Sequence, residues 1–237
     1  MGQDVGAVIP AAGRGVRLGS RQAKAFVPLA KQPLVLQTLQ VFECSPSVRW
    51  VVVAVRPADC AQLKRLVDRH RLRKIAAIVP GGASRAESVA RGVAALPPEV
   101  RWVVIHDGAR PCVSPRLIAS AVAQAKRHGA VVCGLPASLT VKAVDAAQHV
   151  RLTLDRDSLW FVQTPQVFRR DWLDEALARC NGQLQRFPDD AALMEWAGFA
   201  VRMVPGDSLN IKVTTKEDLL LAEAILKSQN SKGKSQK

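Results

Sequence analysis

The fold is decided by a stretch close to the start of the chain, Val5-Gly6-Ala7-Val8-Ile9-Pro10-Ala11-Ala12-Gly13-Arg14-Gly15-Val16-Arg17-Leu18. Its first five residues form a short apolar run, which is typical of a buried strand. The small residues that follow let a backbone approach a phosphate chain, and their glycines expose N–H groups in a concave nest. Arg17, and Lys24 seven residues later, add two cations. The pattern matches neither GxxxxGK[ST] nor GxGxxG, and a tight turn is the simpler alternative. We predict a strand that ends in a phosphate-binding loop.

Further apolar runs follow, separated by stretches with helical periodicity. The predicted later strands are Trp50–Val55, Ile75–Val79, Trp102–Ile105, Ala130–Leu135 and Val201–Val204. Strands that alternate with helices and are apolar on both faces imply a mainly parallel sheet in a three-layer α/β domain. Right-handed crossovers bring the carboxyl ends of such strands to one edge, where ligands bind.

The segment Ala137–Ser158 breaks this rhythm. Two short alternations flank Asp145-Ala146-Ala147-Gln148, which predicts a hairpin or arm that projects from the sheet. A final helix is predicted to open at Thr214-Thr215-Lys216-Glu217, a capping-box pattern. We predict a single domain over residues 1–227, with 137–158 as its arm and 228–237 as a basic disordered tail.

The composition is that of a globular protein. Apolar residues make up 48% of the 237 residues and charged residues 23%, which excludes wholesale disorder. The longest aliphatic strings have about six residues, too short for a membrane span of about 20. The N-terminus has no basic start of the kind that a secretory signal has. The five cysteines include no CxxC pair, so reduced thiols, a cytoplasmic location and no structural zinc site are predicted.

The charge is unusual, since 34 basic and 20 acidic residues give a formal net charge of +14. The densest basic patch consists of Lys64, Arg65, Arg69, Arg71, Arg73 and Lys74. A solvated outer face of an amphipathic helix is the simpler interpretation, and a polyanion-binding surface is the alternative. No aromatic residue is interleaved with the patch, which disfavours single-stranded nucleic acid as its ligand.

Two further motifs stand at predicted strand ends. His106-Asp107-Gly108-Ala109-Arg110-Pro111 follows the fourth strand, and a carboxylate there suits a magnesium ion that bridges phosphate oxygens. A turn-forming aspartate is the alternative. Gly81-Gly82-Ala83-Ser84-Arg85-Ala86-Glu87-Ser88 provides a tight loop for a base edge. The alternative is that the motif is the ordinary start of a helix, with Ser84 as N-cap and Glu87 completing a capping box, and both interpretations can hold together.

Taken together, the motifs resemble those of the 2-C-methyl-D-erythritol 4-phosphate cytidylyltransferase family. Those that carry the resemblance are PAAGRGVRL with the downstream Lys24, GGASRAES, HDGARP, TPQVF (Thr164–Phe168), DDAAL (Asp189–Leu193) and NIKVTT. The resemblance implies a Rossmann-like nucleotidyltransferase fold, Mg2+, and a homodimer formed through an arm. It implies that CTP and 2-C-methyl-D-erythritol 4-phosphate react by in-line attack of the sugar phosphate on the α-phosphorus, with release of pyrophosphate.

The resemblance also implies roles for individual residues. Arg17 and Lys24 match the catalytic pair that holds the triphosphate. The implied nucleotide-binding residues are Pro10, Ala11, Ala12, Gly13, Gly15, Gly82, Ser88 and Asp107, and Asp107 is also the implied metal ligand. The implied acceptor-binding residues are Arg110, Thr140, Arg156 and Lys212. Judged singly, Arg156 and Lys212 are each more typical of a surface ion pair than of a phosphate site.

Four positions depart from the family pattern: Ala23 and Ala25 on either side of the lysine, Ala83 after the two glycines, and Pro188 before the acidic pair. Pro188 removes a hydroxyl from the acceptor side. The nearest alternative is therefore another sugar-phosphate nucleotidyltransferase, such as one that acts on ribitol 5-phosphate. A basic polyanion-binding protein is a remote alternative.

Overall fold

The computed structural model describes residues 3–13, 15 and 23–234, with side chains as far as 229. Its strands are β1 (Val5–Pro10), β2 (Pro28–Leu29), β3 (Gln32–Pro33), β4 (Trp50–Val55), β5 (Ile75–Pro80), β6 (Trp102–Ile105), β7 (Ala130–Pro136), β8 (Val141–Val144), β9 (Val150–Leu154), β10 (Trp160–Arg169) and β11 (Arg202–Pro205). Its helices are α1 (Leu34–Cys44), α2 (Cys60–His70), α3 (Arg85–Ala94), α4 (Pro115–His128), α5 (Arg170–Arg179), α6 (Asp190–Trp196) and α7 (Lys216–Lys234).

Seven strands form one sheet in the order β11-β7-β10-β6-β1-β4-β5. β1 lies at its centre, parallel to β4 on one side and to β6 on the other. β5 continues the sheet in parallel beyond β4, and β11 runs parallel to β7. The predicted α/β class with a mainly parallel sheet is confirmed.

Both faces of the sheet are covered, because its strands are apolar on both sides. Val5, Ala7 and Ile9 of β1 pack with α1, α2 and α4 on one face. Val8 points to the other face, where α3, α5 and α6 contribute the core. Successive side chains of a strand point in opposite directions, so an unbroken apolar run serves two cores.

The strand β10 was not predicted. It runs antiparallel between β6 and β7 and carries the buried polar residues Gln163, Thr164 and Gln166. These polar residues, together with Pro165, interrupt the apolar run by which the other strands were found. Tertiary hydrogen bonds satisfy the three side chains, so their polarity is compatible with burial.

The region of the predicted arm contains a two-stranded antiparallel sheet made of β8 and β9. It is separate from the seven-stranded sheet, and apolar side chains on it are exposed. Leu139, Val144, Val150 and Leu152 each expose more than half of their surface.

Two predictions for the C-terminal part need correction. The cap of α7 uses Asp218 rather than Glu217: its carboxylate accepts hydrogen bonds from the backbone N–H groups of Thr214 and Thr215. The helix also continues to Lys234, beyond the predicted start of disorder at residue 228. No proline interrupts it, Leu226 is buried, and the Gln229 side chain donates to the Cys112 carbonyl. Residues 235–237 lie outside the described part.

The five cysteines are free thiols. Cys112, Cys133 and Cys180 are buried, as expected of small apolar fillers, whereas Cys44 is exposed. Burial raises the pKa of Cys112 and of Cys133 to about 12, which leaves both thiols protonated at neutral pH. Among the described helices, none is long and apolar enough to cross a membrane.

A glycine in α3 sets how closely this helix approaches the sheet. A Cβ atom at Gly92 would overlap the Val8 side chain of β1. We expect Gly92→Ala to lower the free energy of unfolding by about 1–3 kcal/mol, because overpacking outweighs the gain in helix propensity of about 1 kcal/mol. Urea denaturation measures the change. Ala94→Gly at the exposed last residue of α3 is the control, with an expected cost of at most about 1 kcal/mol from propensity alone. A stabilised Gly92→Ala variant would contradict the packing argument.

Candidate active site

A cavity of about 690 Å3 opens at the carboxyl ends of β1, β4, β5 and β6. Its lining includes every nucleotide-binding residue implied by the sequence: Pro10, Ala11, Ala12, Gly13, Gly15, Gly82, Ser88 and Asp107. Lys24, Arg85 and Lys212 line it as well. We call it the first cavity. Arg17, the other cation implied in catalysis, lies outside the described residues.

The loop after β1 is held against the neighbouring strand and against Lys24. The Ala11 N–H donates to the Ala54 carbonyl of β4 at 2.7 Å. Gly15 has a φ of 71°, and a Cβ atom there would lie 2.8 Å from the Lys24 Cβ. A side chain at this position would meet both backbone strain and a clash. Glycine at position 15 therefore allows Lys24 to approach the loop.

The motif after β5 forms a compact hydrogen-bonded turn. The Gly82 N–H donates to the Ser88 Oγ at 3.0 Å, and the Ser88 hydroxyl donates to the Ser84 carbonyl at 2.9 Å. Ser84 caps α3 by accepting from the Glu87 N–H, and Glu87 accepts from the Ala83 N–H. The predicted helix cap is confirmed. The base-reading role of this turn stays a prediction.

A second cavity, of about 510 Å3, lies on the β10 side. Its lining consists of Arg85, Asp107, Arg110, Val132, Val162, Gln163, Thr164, Gln166, Pro188, Asp189, Ala191, Glu195, Val201, Met203 and Lys212. Of the residues implied in acceptor binding, Arg110 and Lys212 are present. Thr140 and Arg156 line neither cavity, because both are exposed at the arm.

Three of the described residues line both cavities: Arg85, Asp107 and Lys212. Asp107 accepts from the Arg85 Nε at 2.9 Å through one oxygen and from the Lys212 Nζ at 2.7 Å through the other. The Arg85 Nη1 donates to Asp190 at 2.8 Å. We call these four residues the charge cluster. Two cations and two carboxylates balance within it, so the wall between the cavities carries no large excess charge.

Burial and pairing set the ionisation of the charge cluster. Burial by itself would raise the pKa of Asp107, but Arg85 and Lys212 outweigh it and hold that pKa well below its usual range. For Arg85, burial opposes the charge, and the carboxylates of Asp190 and Asp107 raise its pKa above the usual value. Complete burial raises the pKa of Asp190 despite its contact with Arg85. Asp107 is therefore ionised and Arg85 charged at neutral pH.

The backbone of Asp107 is oriented by a buried relay from β10. The Asp107 N–H donates to the Thr164 Oγ1 at 3.1 Å, and the same oxygen lies 3.1 Å from the His106 Nδ1. The His106 Nε2 lies 3.1 Å from the Arg110 carbonyl. Burial lowers the pKa of His106 to about 4, so the ring is neutral. A neutral ring with its proton on Nε2 satisfies both contacts.

Sequence reasoning assigned no role to Arg85 or Asp190. Both stood inside quoted motifs, GGASRAES and DDAAL, but 105 positions separate them and no spacing rule joins them. A usable signal was the position of Arg85 directly after a helix cap, at the carboxyl edge of the sheet. Asp190 was harder to identify. Its neighbour Asp189 is the N-cap of α6, and this cap alone explains why the motif at the start of that helix is acidic.

The described residues include no group of three or more His, Cys, Asp or Glu side chains arranged for a metal ion. Asp107 is the carboxylate that lines the first cavity. Mg2+ is commonly held by one or two carboxylates together with substrate phosphates, so a single carboxylate that lines a cavity for a phosphorylated ligand fits this ion. Lys212, whose side chain is 40% exposed, has room to move away from Asp107.

Comparison with known proteins gives consistent matches over almost the whole chain. A family model described as "IspD: 2-C-methyl-D-erythritol 4-phosphate cytidylyltransferase" matches residues 5–228. A protein of that name from Pelotomaculum thermopropionicum is 42% identical over 229 residues, which cover 96% of each chain.

Solved structures agree with this match. The 2-C-methyl-D-erythritol 4-phosphate cytidylyltransferase of Thermus thermophilus is 33% identical, with a TM-score of 0.77 and coverage of 94% of this chain and 98% of that one. The 4-diphosphocytidyl-2C-methyl-D-erythritol synthase of Anaerococcus prevotii has a TM-score of 0.83 at 27% identity, covering 95% and 97% of the two chains.

The charge cluster makes a testable contribution to stability. We expect Arg85→Ala to lower the free energy of unfolding by about 3–5 kcal/mol, because two buried carboxylates lose their shared partner. Urea denaturation at neutral pH measures this loss. Arg91→Ala is the matched control on the same helix, since Arg91 is exposed and contacts only backbone carbonyls. Equal losses in the two variants would show that the cluster is not a strongly coupled buried network.

Proposed function

This chain belongs to the 2-C-methyl-D-erythritol 4-phosphate cytidylyltransferase family, and we propose that its two cavities hold the two substrates of that reaction. The enzyme joins CTP and 2-C-methyl-D-erythritol 4-phosphate, and releases pyrophosphate. The observation that carries the site assignment is the shared wall of Arg85, Asp107 and Lys212. In this proposal each cavity holds one phosphorylated ligand. The phosphate groups of the two ligands both lie at the shared residues, where the new bond forms. The relatives do not favour the ribitol 5-phosphate alternative.

CTP occupies the first cavity in this proposal. The turn at Gly82 and Ser88 lies beside the base, and the loop of Ala11, Ala12 and Gly13 follows the triphosphate. Lys24 approaches that loop at Gly15, which supports its assignment to the phosphates. Arg17 joins Lys24 as the second catalytic cation, on the strength of the family motif.

The sugar phosphate occupies the second cavity. Arg110 supports this assignment, because its guanidinium is largely buried and its Nε has no hydrogen-bond partner among the described residues. The Arg110 Nη1 donates to the Asn210 carbonyl at 2.8 Å, which holds the side chain in place. A largely buried cation that lines the cavity suits an anionic ligand. Pro188 lines the same cavity and supplies only an apolar surface there.

The chemistry requires positioning and positive charge more than a protein nucleophile. The attacking phosphate oxygen is already ionised at neutral pH, and both reactants are anions. Lys24, Arg17 and Lys212 offset the repulsion between them, and the two cavities align the attacking oxygen with the α-phosphorus. No serine or cysteine has to form a covalent intermediate.

Asp107 is the residue that holds Mg2+ in this proposal. When bound, the ion would supply charge neutralisation at the phosphate oxygens of CTP. The part of Asp107 is to present an ionised carboxylate at a fixed position, which Arg85 and the Thr164 hydroxyl maintain.

We further propose a homodimer formed through the arm. Exposed apolar side chains on the arm and at the start of β10 support it: Leu139, Val144, Val150, Leu152, Phe161 and Val162. Apolar patches of this kind mark interaction surfaces in soluble proteins. The arm also carries Thr140 and Arg156, which line neither cavity of their own chain. We infer that these two residues complete the acceptor cavity of the partner subunit.

The free thiols are compatible with the predicted cytoplasmic location.

Pyrophosphate release from CTP with each of two polyol phosphates tests the function. We expect turnover with 2-C-methyl-D-erythritol 4-phosphate and Mg2+, and on the order of 10²–10³-fold lower turnover for Lys24→Ala or Arg17→Ala, because each loses a preorganised donor. Arg91→Ala serves as the control for a cation outside both cavities. Turnover with ribitol 5-phosphate but none with the erythritol phosphate would overturn the proposal.

Mixing of inactive subunits tests the shared site. In a heterodimer of Lys24→Ala and Arg156→Ala subunits, one site carries both lesions and the other is intact. Random exchange at equal amounts makes half of the dimers mixed, so about a quarter of wild-type activity should return. Lys24→Ala mixed with Arg110→Ala is the control, because both residues line cavities of their own chain and no site becomes intact. Absence of recovery in the first mixture, with subunit exchange confirmed by mass, would reject the shared site.

A further inference from the structure

We propose that Arg56 contacts the base of the nucleotide and determines the preference for cytosine over uracil. This inference rests on the proposed binding of CTP in the first cavity. Arg56 lines that cavity together with Pro57. Neither the sequence motifs nor the charge cluster includes it.

The sheet order locates Arg56 at the base end of the cavity. Arg56 directly follows β4, which lies between β1 and β5. The loops after those two strands flank it, because the Ala11 and Gly81 N–H groups donate to the Ala54 and Val55 carbonyls at 2.7 and 2.6 Å. The carboxyl end of β6, where Asp107 lies, is two strands away, or about 10 Å. Since the reacting phosphate lies at the charge cluster, Arg56 is on the side of the nucleoside.

The Arg56 guanidinium is held in one orientation. Its Nε and Nη2 donate to the two carboxylate oxygens of Asp59 at 2.6 and 3.0 Å. Asp59 is buried, whereas the Arg56 side chain is 38% exposed. Bidentate pairing fixes the plane of a guanidinium. The Nη1 edge has no hydrogen-bond partner among the described residues and so is available to a ligand.

The charge of this pair favours a base over a phosphate. Asp59 neutralises Arg56, so the pair offers hydrogen-bond donors without a large net positive charge. Lys24, at the loop after β1, is a better match for the triphosphate. A paired arginine whose free edge still donates suits an uncharged ring that carries acceptor atoms.

Three donors of the turn near the base are already used within the protein. The Gly82 N–H, the Ser88 hydroxyl and the Ala83 N–H all donate to protein acceptors. The Ala83 side chain is only a methyl group. Arg56 thus supplies donors at this end that these three groups do not.

The chemistry of the two pyrimidines then gives the direction of selectivity. Cytosine presents adjacent acceptors at O2 and N3, whereas uracil has an N3–H donor at the second position. A guanidinium edge complements the cytosine pair and meets the uracil N3–H with a donor of its own. Two donors that face each other in the complex disfavour the wrong ligand, because both polar groups lose water without gaining a partner.

Dissociation constants for CTP and UTP, measured by calorimetry, and kcat/KM for each nucleotide test this inference. We expect the preference for CTP over UTP to fall at least tenfold in Arg56→Met, which keeps the aliphatic stem and removes the donors. Inhibition by pyrophosphate should change less than twofold. Arg91→Met is the matched control: Arg91 supports the same turn by donating to the Gly81 carbonyl at 3.0 Å, but it does not line the cavity.

Two results would overturn the inference. One is an unchanged ratio of CTP to UTP affinity in Arg56→Met. The other is equal weakening of both nucleotides with loss of pyrophosphate inhibition, which indicates a phosphate contact. If Arg56→Met does not fold, Arg56→Lys is used in its place, with the same expected loss of preference for CTP. A single ammonium group that pairs with Asp59 cannot also present a second donor edge to the base. Because the calorimetry needs no turnover, a wild-type enzyme that binds CTP but does not react contradicts the proposed function and leaves this inference testable.

Discussion

The pairing of Asp107 with Arg85 and Lys212 is the interaction on which the rest of the site depends. A carboxylate that is almost buried at the centre of the sheet edge is unfavourable unless cations offset the cost of desolvation. Arg85 arrives from α3, Lys212 from the segment after β11, and Asp190 from α6 holds Arg85 in turn. Three separate parts of the chain therefore meet around Asp107: α3 and the segment after β11 contact its carboxylate, and α6 contacts Arg85. Arg85, Asp107 and Lys212 line both cavities.

The antiparallel strand β10 makes this arrangement possible. Its buried polar side chains bond to the loops that border the second cavity rather than to water. Gln166 holds both the Asp189 carboxylate and the Ala191 N–H at the start of α6. Gln163 bonds to the backbone of Asp207, and Asn210 donates to the Thr164 carbonyl at 2.7 Å. Buried hydrogen bonds of this kind fix loop positions because an unpaired group there is costly.

In our proposal the two cavities differ in how far one chain completes them. The first cavity is lined mainly by residues at four adjacent strand ends of one chain. The second takes its cations from Arg85, Arg110 and Lys212, while Thr140 and Arg156 lie apart from it on the arm. A small antiparallel arm with exposed apolar side chains has little core of its own. Its stability and the completeness of the acceptor site are thus linked to the same proposed contact between subunits.

The sequence by itself determined the parallel strands, the loop after β1, the cap at Ser84 and the family, because each depends on neighbours along the chain or on short motifs. It also located the residues from Pro10 to Gly15 and Asp107 at one sheet edge, since parallel strands end together. Only the tertiary structure decided that β10 is a strand and that Arg85 joins Asp107 to Asp190. Their polar side chains gain their partners from residues distant in sequence, and no local periodicity encodes such pairing.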